Sequence, residues 1–325
     1  MTDDDGEGDP VRVRARTRPV TPDVLADWGS DGQPAPYALL ADRPDGTVVR
    51  CGETVAKAHA PDSDPRALAA RLRLAGSAPL AGILLRPLRT GSLHARPVSL
   101  WPYGTPVDPG RPEGAPWEAA ARLLAALHRV PPEALPGPVP PMRGPAKVAR
   151  ALDRLERTPH PEPEGAGAVR AAARALPGWV RGQGDPPPGG TLCHGDFHLG
   201  QLVRHPAPGG PWRLIDVDDL GLGTPTWDLA RPAAWYAAGI LPAPQWLRFL
   251  DAYRAAGGPA AGPPGSDPWP ELDLAARALT VQTAALALAK SARAGRRLDE
   301  AERLVVEACG RMVSLPPELE SEPAS

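Results

Sequence analysis

Lysine is almost missing from this sequence: Lys57, Lys147 and Lys290 stand against 33 arginines. That bias fits a GC-rich coding background, so the position of each surviving lysine carries information. Cysteine is scarce as well. Cys51, Cys193 and Cys309 are far apart, odd in number and match no zinc spacing, which excludes a disulfide framework and fits a reducing compartment. There is no strong excess of either charge. A formal net charge of -2 removes the basic footprint that sequence-independent nucleic-acid binding needs. Long hydrophobic runs are also missing: no uncharged stretch reaches the roughly 18 residues of a membrane span. The nearest case, residues 274–290, carries Arg277 and Gln282 and reads as a packed helix. No basic, apolar, small-residue leader opens the chain. The expectation is a cytoplasmic protein with neither nucleic acid nor membrane as partner.

What is present points to a folded chain with many loops. At 325 residues and 42% hydrophobic content there is enough for one large domain or two modest lobes. The 45 prolines and 34 glycines cut it into short elements. Residues 37–60, YALLADRPDGTVVRCGETVAKAHA, read as a hairpin or meander turning at Asp45-Gly46 and Cys51-Gly52. In the last run, Val55 and Lys57 share a strand face. PDSDPRALAARLRLAG predicts a helix over 65–75, capped by Ser63 or Asp64 and opened by Pro65. AGILLRPL and HARPVSLW predict two more strands. Beyond a proline- and glycine-rich linker, helical periodicity appears at 117–130, 145–157, 167–180, 226–239, 244–256, 270–294 and 298–313. One island, 191–225, is not helical.

That island carries the chemistry. TLCHGDFHLGQ places two histidines and an acid within five residues, and LIDV reads as an apolar strand interrupted by Asp216. A buried strand does not carry an unpaired carboxylate without a cost of several kcal/mol, so a metal ion or cation is expected beside it. Asp196, Gln201 and Asp216 offer one carboxylate to accept a proton and two hard oxygen ligands of the kind Mg²⁺ uses when substrate phosphates complete its shell.

HGDFHLGQ, LIDVDD and GTPTWDLA together resemble the catalytic core of the aminoglycoside phosphotransferase and choline kinase-like family, on the protein kinase-like fold. Asp196 matches the catalytic base and Asp216 the metal-binding Asp. Gln201 stands where the family usually has Asn, with the H-L-G-Q ending of maltokinase-like sequences. Gly223, Asp228, Leu229 and Ala230 match a downstream G-x-P-x-x-D-L-A pattern, and WEAAARLLAALHRVP is similar to the family helix that ends in Leu-His. The resemblance implies an α+β, two-lobed fold with a small β-rich N-terminal lobe containing one helix and a large, mainly helical C-terminal lobe. It also implies an order along the chain: an acidic tail over 1–20, a nucleotide-binding lobe over 21–104, a catalytic and acceptor-binding lobe over 105–315, and a tail over 316–325.

Roles follow from the same resemblance. ATP would sit between the lobes with Lys57 on its phosphates, and the Leu100–Gly104 segment, with Trp101 and Tyr103, would form the hinge whose backbone meets adenine. Mg²⁺ would be held by Gln201 and Asp216. The γ-phosphate would pass to a hydroxyl of a small molecule: an aminoglycoside, a sugar or an amino-alcohol.

Two family features have weak or no counterparts. GSDGQP at 29–34 is the best candidate for a glycine-rich phosphate loop, and the 65–75 helix has no glutamate to pair with Lys57. A catalytically weak nucleotide-binding pseudokinase with a regulatory role is therefore an alternative. A di-metal hydrolase, suggested by Asp196-x-His198, lacks its companion G-D-x-x-D and G-N-H segments. His194 and His198 are expected to be structural and Asp228 a helix cap and loop brace. Asp218 and Asp219 are expected to be solvated, and Trp227, Trp235, Trp246 and Trp269 to be core residues. An acidic pocket would suggest a polycationic acceptor, and the candidate acids (Asp218, Asp219, Asp251, Glu271, Asp273) are compatible with one but unremarkable in number.

Overall fold

The computed structural model describes residues 19–34, 36–43 and 45–314. The expected tails, 1–20 and 316–325, lie outside the described residues except for positions 19 and 20. In chain order the elements are α1 (Pro22–Gly29), β1 (Ala38–Arg43), β2 (Gly46–Cys51), β3 (Thr54–Ala58), α2 (Pro65–Ala75), β4 (Arg89–Leu93), β5 (Arg96–Pro102) and β6 (Thr105–Pro106). These are followed by α3 (Trp117–His128), α4 (Gly144–Glu156), α5 (Pro163–Arg174), β7 (Thr191–Cys193), β8 (Leu202–Arg204), β9 (Trp212–Leu214) and β10 (Gly221–Gly223). Helices α6 (Thr226–Ala237), α7 (Ala243–Ala255), α8 (Trp269–Ala294) and α9 (Glu300–Ser314) complete the order. The chain divides into two compact units: residues up to Ser63 with Leu88–Trp101, and Asp64–Pro87 with the chain from Pro102 onward.

The first unit is a five-stranded sheet in the order β1-β2-β3-β5-β4. Alternation along β2 buries Thr47, Val49 and Cys51 on one face, as a half-covered strand requires. That face meets Leu25 and Ala26 of α1, and with Ala56, Ala58, Val98 and Leu100 they form the unit's core. Periodicity did not reveal α1, because eight residues are too few for a helical pattern. Thr21 caps it by accepting from the Val24 N–H, and Pro22 opens it. The helix of this unit is therefore α1, not the 65–75 helix expected in it. The predicted 65–75 helix forms as α2, capped by Asp64, but belongs to the second unit.

Two local expectations fail here. GSDGQP is the end of α1 and the turn after it, where the Gly32 N–H closes on the Asp27 carbonyl; it does not link two strands. AGILLRPL makes only isolated bridges, at Ala81 and Leu84, because the turn at Ala78–Leu80 and the prolines on either side prevent a ladder.

In the second unit, α8 runs through the centre and packs against α4, α5, α6 and α9. By length and composition α8 could cross a membrane, yet 72% of its apolar window is buried inside the protein. The two remaining sheets are short: β10 pairs with β7, and β6-β8-β9 form a three-stranded ladder. The predicted 167–180 helix begins earlier, at Pro163, because Glu162 caps it through the Glu164 and Gly165 N–H groups. It stops at Arg174, shortly before Pro177.

Candidate functional site

The antiparallel pair β7–β10 and the β8–β9 hairpin between them in sequence place the two halves of the 191–225 island together. Gly195 leaves β7 with φ +82°, and a Cβ there would lie 2.3 Å from the Asp219 carbonyl oxygen, so only glycine fits this crossing. The predicted strand LIDV is shorter than expected. β9 ends at Leu214, and Asp216 sits just beyond it in the left-handed region with φ 61°, a conformation that Asp tolerates better than branched residues do. The Ile215 N–H donates to the Gln201 carbonyl at 2.9 Å, which brings the two side chains together. Gln201 Nε2 lies 3.4 Å from Asp216 Oδ2. Gln201 is buried at the end of a short 3-10 turn whose first carbonyl, from His198, accepts its N–H.

Asp228 organises the loop from below. Its carboxylate is fully buried and accepts from the His194 N–H at 2.6 Å, the Gly195 N–H at 2.8 Å and His128 Nε2 at 2.9 Å. The carboxylate can only accept, so His128 faces it with Nε2–H. Nδ1 is then left for the Tyr253 hydroxyl at 2.8 Å, which in turn accepts from the Ala260 N–H. Burial pushes the Asp228 pKa up, but the hydrogen bonds from His128 and from the His194 N–H outweigh it and hold the carboxyl below its ordinary value. Asp228 is a loop brace as expected, but it is no cap, since Pro225 occupies the N-cap of α6. Cys193, His128 and Asp228 offer ligand atoms within 4.8 Å of one another. Only His128 and Asp228 are hydrogen-bonded to each other; burial drives the Cys193 thiol well up, and its S–H donates to the Thr191 carbonyl.

Asp196 meets two cations. Lys147 Nζ from α4 lies 2.6 Å from Oδ2, and Arg231 Nη2 from α6 lies 2.9 Å from Oδ1. Burial raises the Asp196 pKa and the charges of Lys147 and Arg231 lower it; the charges win, so the group is held ionised. Lys147 is held protonated by the same contest, with burial pulling its pKa down and Asp219 and Asp196 pulling it up further. Lys147 also reaches Asp219 Oδ2 at 2.8 Å, and Arg143 approaches the other Asp219 oxygen at 3.4 Å. The expectation of solvated loop acids is thus corrected for Asp219, whose side chain is only 13% exposed. Sequence reasoning noted that surviving lysines are informative but gave Lys147 no place, and it missed Arg231. Both sit on helices remote in sequence from the loop they serve.

The histidines have local duties. His194 Nε2–H donates to the Ile215 carbonyl, tying the two halves of the island. His198 Nδ1 accepts from the Gly200 N–H; burial, then Arg231, lowers its pKa to about 4 against the pull of Asp196 and Asp216. Helix α2 contributes where no contribution was expected. Arg71, only 4% exposed, donates to the Leu220 carbonyl at 2.8 Å and to the Pro141 carbonyl at 3.0 Å, bracing the segment after Asp219.

The remaining candidates are distributed between the units. Lys57 lies on β3 opposite Val48, half-buried, in the first unit. Trp101 is buried there, its indole N–H donating to Ser99 Oγ, which His59 Nε2 also contacts. In the second unit the Tyr103 carbonyl lies 3.2 Å from His205 Nδ1, and Gly104 is pressed so close to Val203 that a Cβ would stand 2.5 Å from its methyl. Of the acids considered for a polycation, Glu271 lines a cavity beside Trp227. Asp273 pairs with Arg277, Glu271 accepts from the Ala261 N–H, and Asp219 is neutralised by its cations. Trp227 and Trp246 are buried as expected, and Trp246 stacks with Tyr236 and Trp269. Trp227 also lines that cavity, of about 750 Å³, with Trp179, Met142 and Leu274.

The family model described as "Phosphotransferase enzyme family" matches residues 37–272, well over half of the sequence. The chain belongs to the phosphotransferase enzyme family. Its fold is that of solved kinases. A choline/ethanolamine kinase family protein from Mesorhizobium loti is similar at 18% identity and TM-score 0.54, over 87% of this chain and 89% of that one. Choline kinase LicA from Streptococcus pneumoniae matches at 13% identity and TM-score 0.56, over 86% and 93%. A thermostable mutant of the aminoglycoside phosphotransferase APH(4)-Ia, in a ternary complex with AMP-PNP and hygromycin B, matches at 15% identity and TM-score 0.56, over 87% and 94%. At these identities the likeness is one of fold. No curated protein matches the chain. For a phosphotransferase of this family, the α+β architecture and the type of reaction, group transfer to a small molecule, agree with the sequence-based reading.

Proposed function

We propose that the protein is an ATP- and Mg²⁺-dependent kinase that moves the γ-phosphate of ATP to a hydroxyl of a small molecule, acting in the cytoplasm. The observation that carries this reading is Asp196, kept ionised by Lys147 and Arg231 on a loop that glycine and Asp228 fix in place. An ionised carboxylate at this point can accept a hydrogen bond from the acceptor hydroxyl and take its proton as the new O–P bond forms and the bond to ADP breaks.

The metal reading is supported by the donor set. Gln201 and Asp216 approach to 3.4 Å, and the Gln201 amide turned half a revolution presents its carbonyl oxygen at the same point. Two oxygen donors, one of them anionic, suit a small hard cation whose shell substrate phosphates complete. Mg²⁺ held there would neutralise charge on the phosphates. Lys57, and the backbone of the segment around Trp101 and Tyr103, are the groups assigned to ATP.

The test separates the roles. Asp216→Ala should abolish Mg²⁺-dependent binding of AMP-PNP by calorimetry. Asp196→Ala should retain binding and lose transfer of labelled phosphate by about 10²-fold or more. Tight nucleotide binding with no transfer by the wild type to any hydroxyl compound would assign it instead as a nucleotide-binding protein.

A further inference from the structure

The acceptor's charge is written in the surroundings of Asp196, on the reading that Asp196 receives the acceptor hydroxyl. Each of its oxygens already carries a cation: Oδ2 has Lys147 at 2.6 Å and Oδ1 has Arg231 at 2.9 Å. A hydroxyl adds a further hydrogen-bond length of about 2.7 Å, so it lands within about 6 Å of an ammonium or a guanidinium, whichever oxygen it meets. Arg143 stands behind Lys147 through their shared partner Asp219. In this linked set three cations meet two carboxylates.

Two consequences follow from charge alone. A cationic acceptor would bring like charge against Lys147 and Arg231, which are desolvated enough for repulsion to be poorly screened. An acceptor hydroxyl must also share Asp196 with the cations already on it. Any weakening of those pairs leaves a half-buried positive charge in need of a partner. An anionic group on the acceptor supplies that partner. The walls of the small recess beside Asp196 are otherwise neutral: Phe197, Trp227, Leu279 and the amide of Gln282. No carboxylate other than Asp196 lines it among the described residues.

We infer that the acceptor is a small anionic alcohol, a hydroxyl compound bearing a carboxylate or a phosphate, with Lys147 as the residue that selects it. Aminoglycosides, with their several ammonium groups, and choline, with its fixed cation, are disfavoured by the same charges.

The experiment uses probes that share a primary hydroxyl and differ in charge. Glycerate, glycerol 3-phosphate, glycerol and choline, with kanamycin as a polycation, are presented to the full chain. Transfer from labelled ATP is read for each, and thermal shift is read in the presence of Mg·AMP-PNP. Glycerate or glycerol 3-phosphate should exceed glycerol at least tenfold in kcat/KM, or half-saturate at a concentration at least tenfold lower, with choline and kanamycin poorer than glycerol on both measures. Lys147→Ala and Lys147→Gln should erase that preference while binding Mg·AMP-PNP within about threefold of the wild type. That binding also verifies that the variants are folded.

The inference is overturned if the cationic or neutral probes equal the anions, or if no anion has any effect on protein that binds Mg·AMP-PNP. It is overturned as well if the Lys147 variants keep the preference and lose nucleotide affinity, which would put Lys147 on ATP. In each of these cases the phosphotransferase reading stands; failure of the wild type to bind Mg·AMP-PNP brings down both.

Discussion

Replacing Asp228 by asparagine tests how the catalytic loop is held. The two side chains have nearly the same volume, and Asp228 is fully buried, so the change is one of charge and hydrogen bonding rather than packing. The carboxylate accepts from the His194 and Gly195 N–H groups and from His128. An asparagine has one oxygen. If its NH₂ replaces Oδ1 it confronts the Gly195 N–H, and if it replaces Oδ2 it confronts the His194 N–H. A change of His128 tautomer could satisfy the imidazole but neither backbone donor.

One buried N–H is therefore orphaned in either orientation, at about 1–3 kcal/mol, and the remaining hydrogen bonds lose the strengthening that a charged acceptor gives them. A total near 3 kcal/mol is expected. Urea unfolding followed by tryptophan fluorescence would measure it from the midpoint and slope, and Asp228→Ala should fall lower still. Phosphate transfer should fall with it, because Asp228 reaches substrate only through the loop it positions. A stability within about 0.5 kcal/mol of the wild type would refute the reasoning, since that is the range of a surface change without structural consequence.

Two further outcomes follow from the same region. His198, lowered to about 4 by burial and by Arg231, stays neutral in the folded chain at pH values where the unfolded chain, near the ordinary 6.5, binds a proton. Stability should therefore fall as pH drops through that window, by up to roughly 3 kcal/mol, and level off below it. His198→Gln should flatten this slope in urea midpoints taken at several pH values, and equal slopes for the two proteins would count against the assignment. Arg71→Met keeps most of the buried stem but removes the donors to the Leu220 and Pro141 carbonyls. Amide exchange should speed up across Asp218–Leu222 and stay unchanged in β2, and uniform acceleration would mean that Arg71 does not brace that segment locally.

Where the chain makes local hydrogen bonds or buries an amphipathic face, its sequence was readable. The turns fall within one residue of the expected Asp45-Gly46 and Cys51-Gly52, since Gly46 opens β2 and Cys51 closes it, and the cap at Asp64 and the long helices needed no tertiary information. The failures share a cause. Helix α1 is too short for periodicity. LIDV has the composition of a strand, yet its acid is carried in a left-handed turn that only the crossing at Gly195 and the pairing with Gln201 explain. AGILLRPL has strand-like residues, but it meets β9 only through Leu84 opposite Leu214, and a single bridge makes no ladder.

At the candidate site, sequence determined which residues bear the chemistry, because HGDFHLGQ and the following Asp216 are contiguous enough for spacing to carry meaning. The tertiary structure alone decided what surrounds them. Lys147 lies 49 positions before Asp196 and Arg231 lies 35 after it, and neither distance encodes contact. Only the packing of α4 and α6 on α8 brings both cations onto one carboxylate and turns Asp219 from a free acid into their shared partner. Ion pairing acts through space over a few ångströms, so the sign of the field at Asp196 had to wait for the fold.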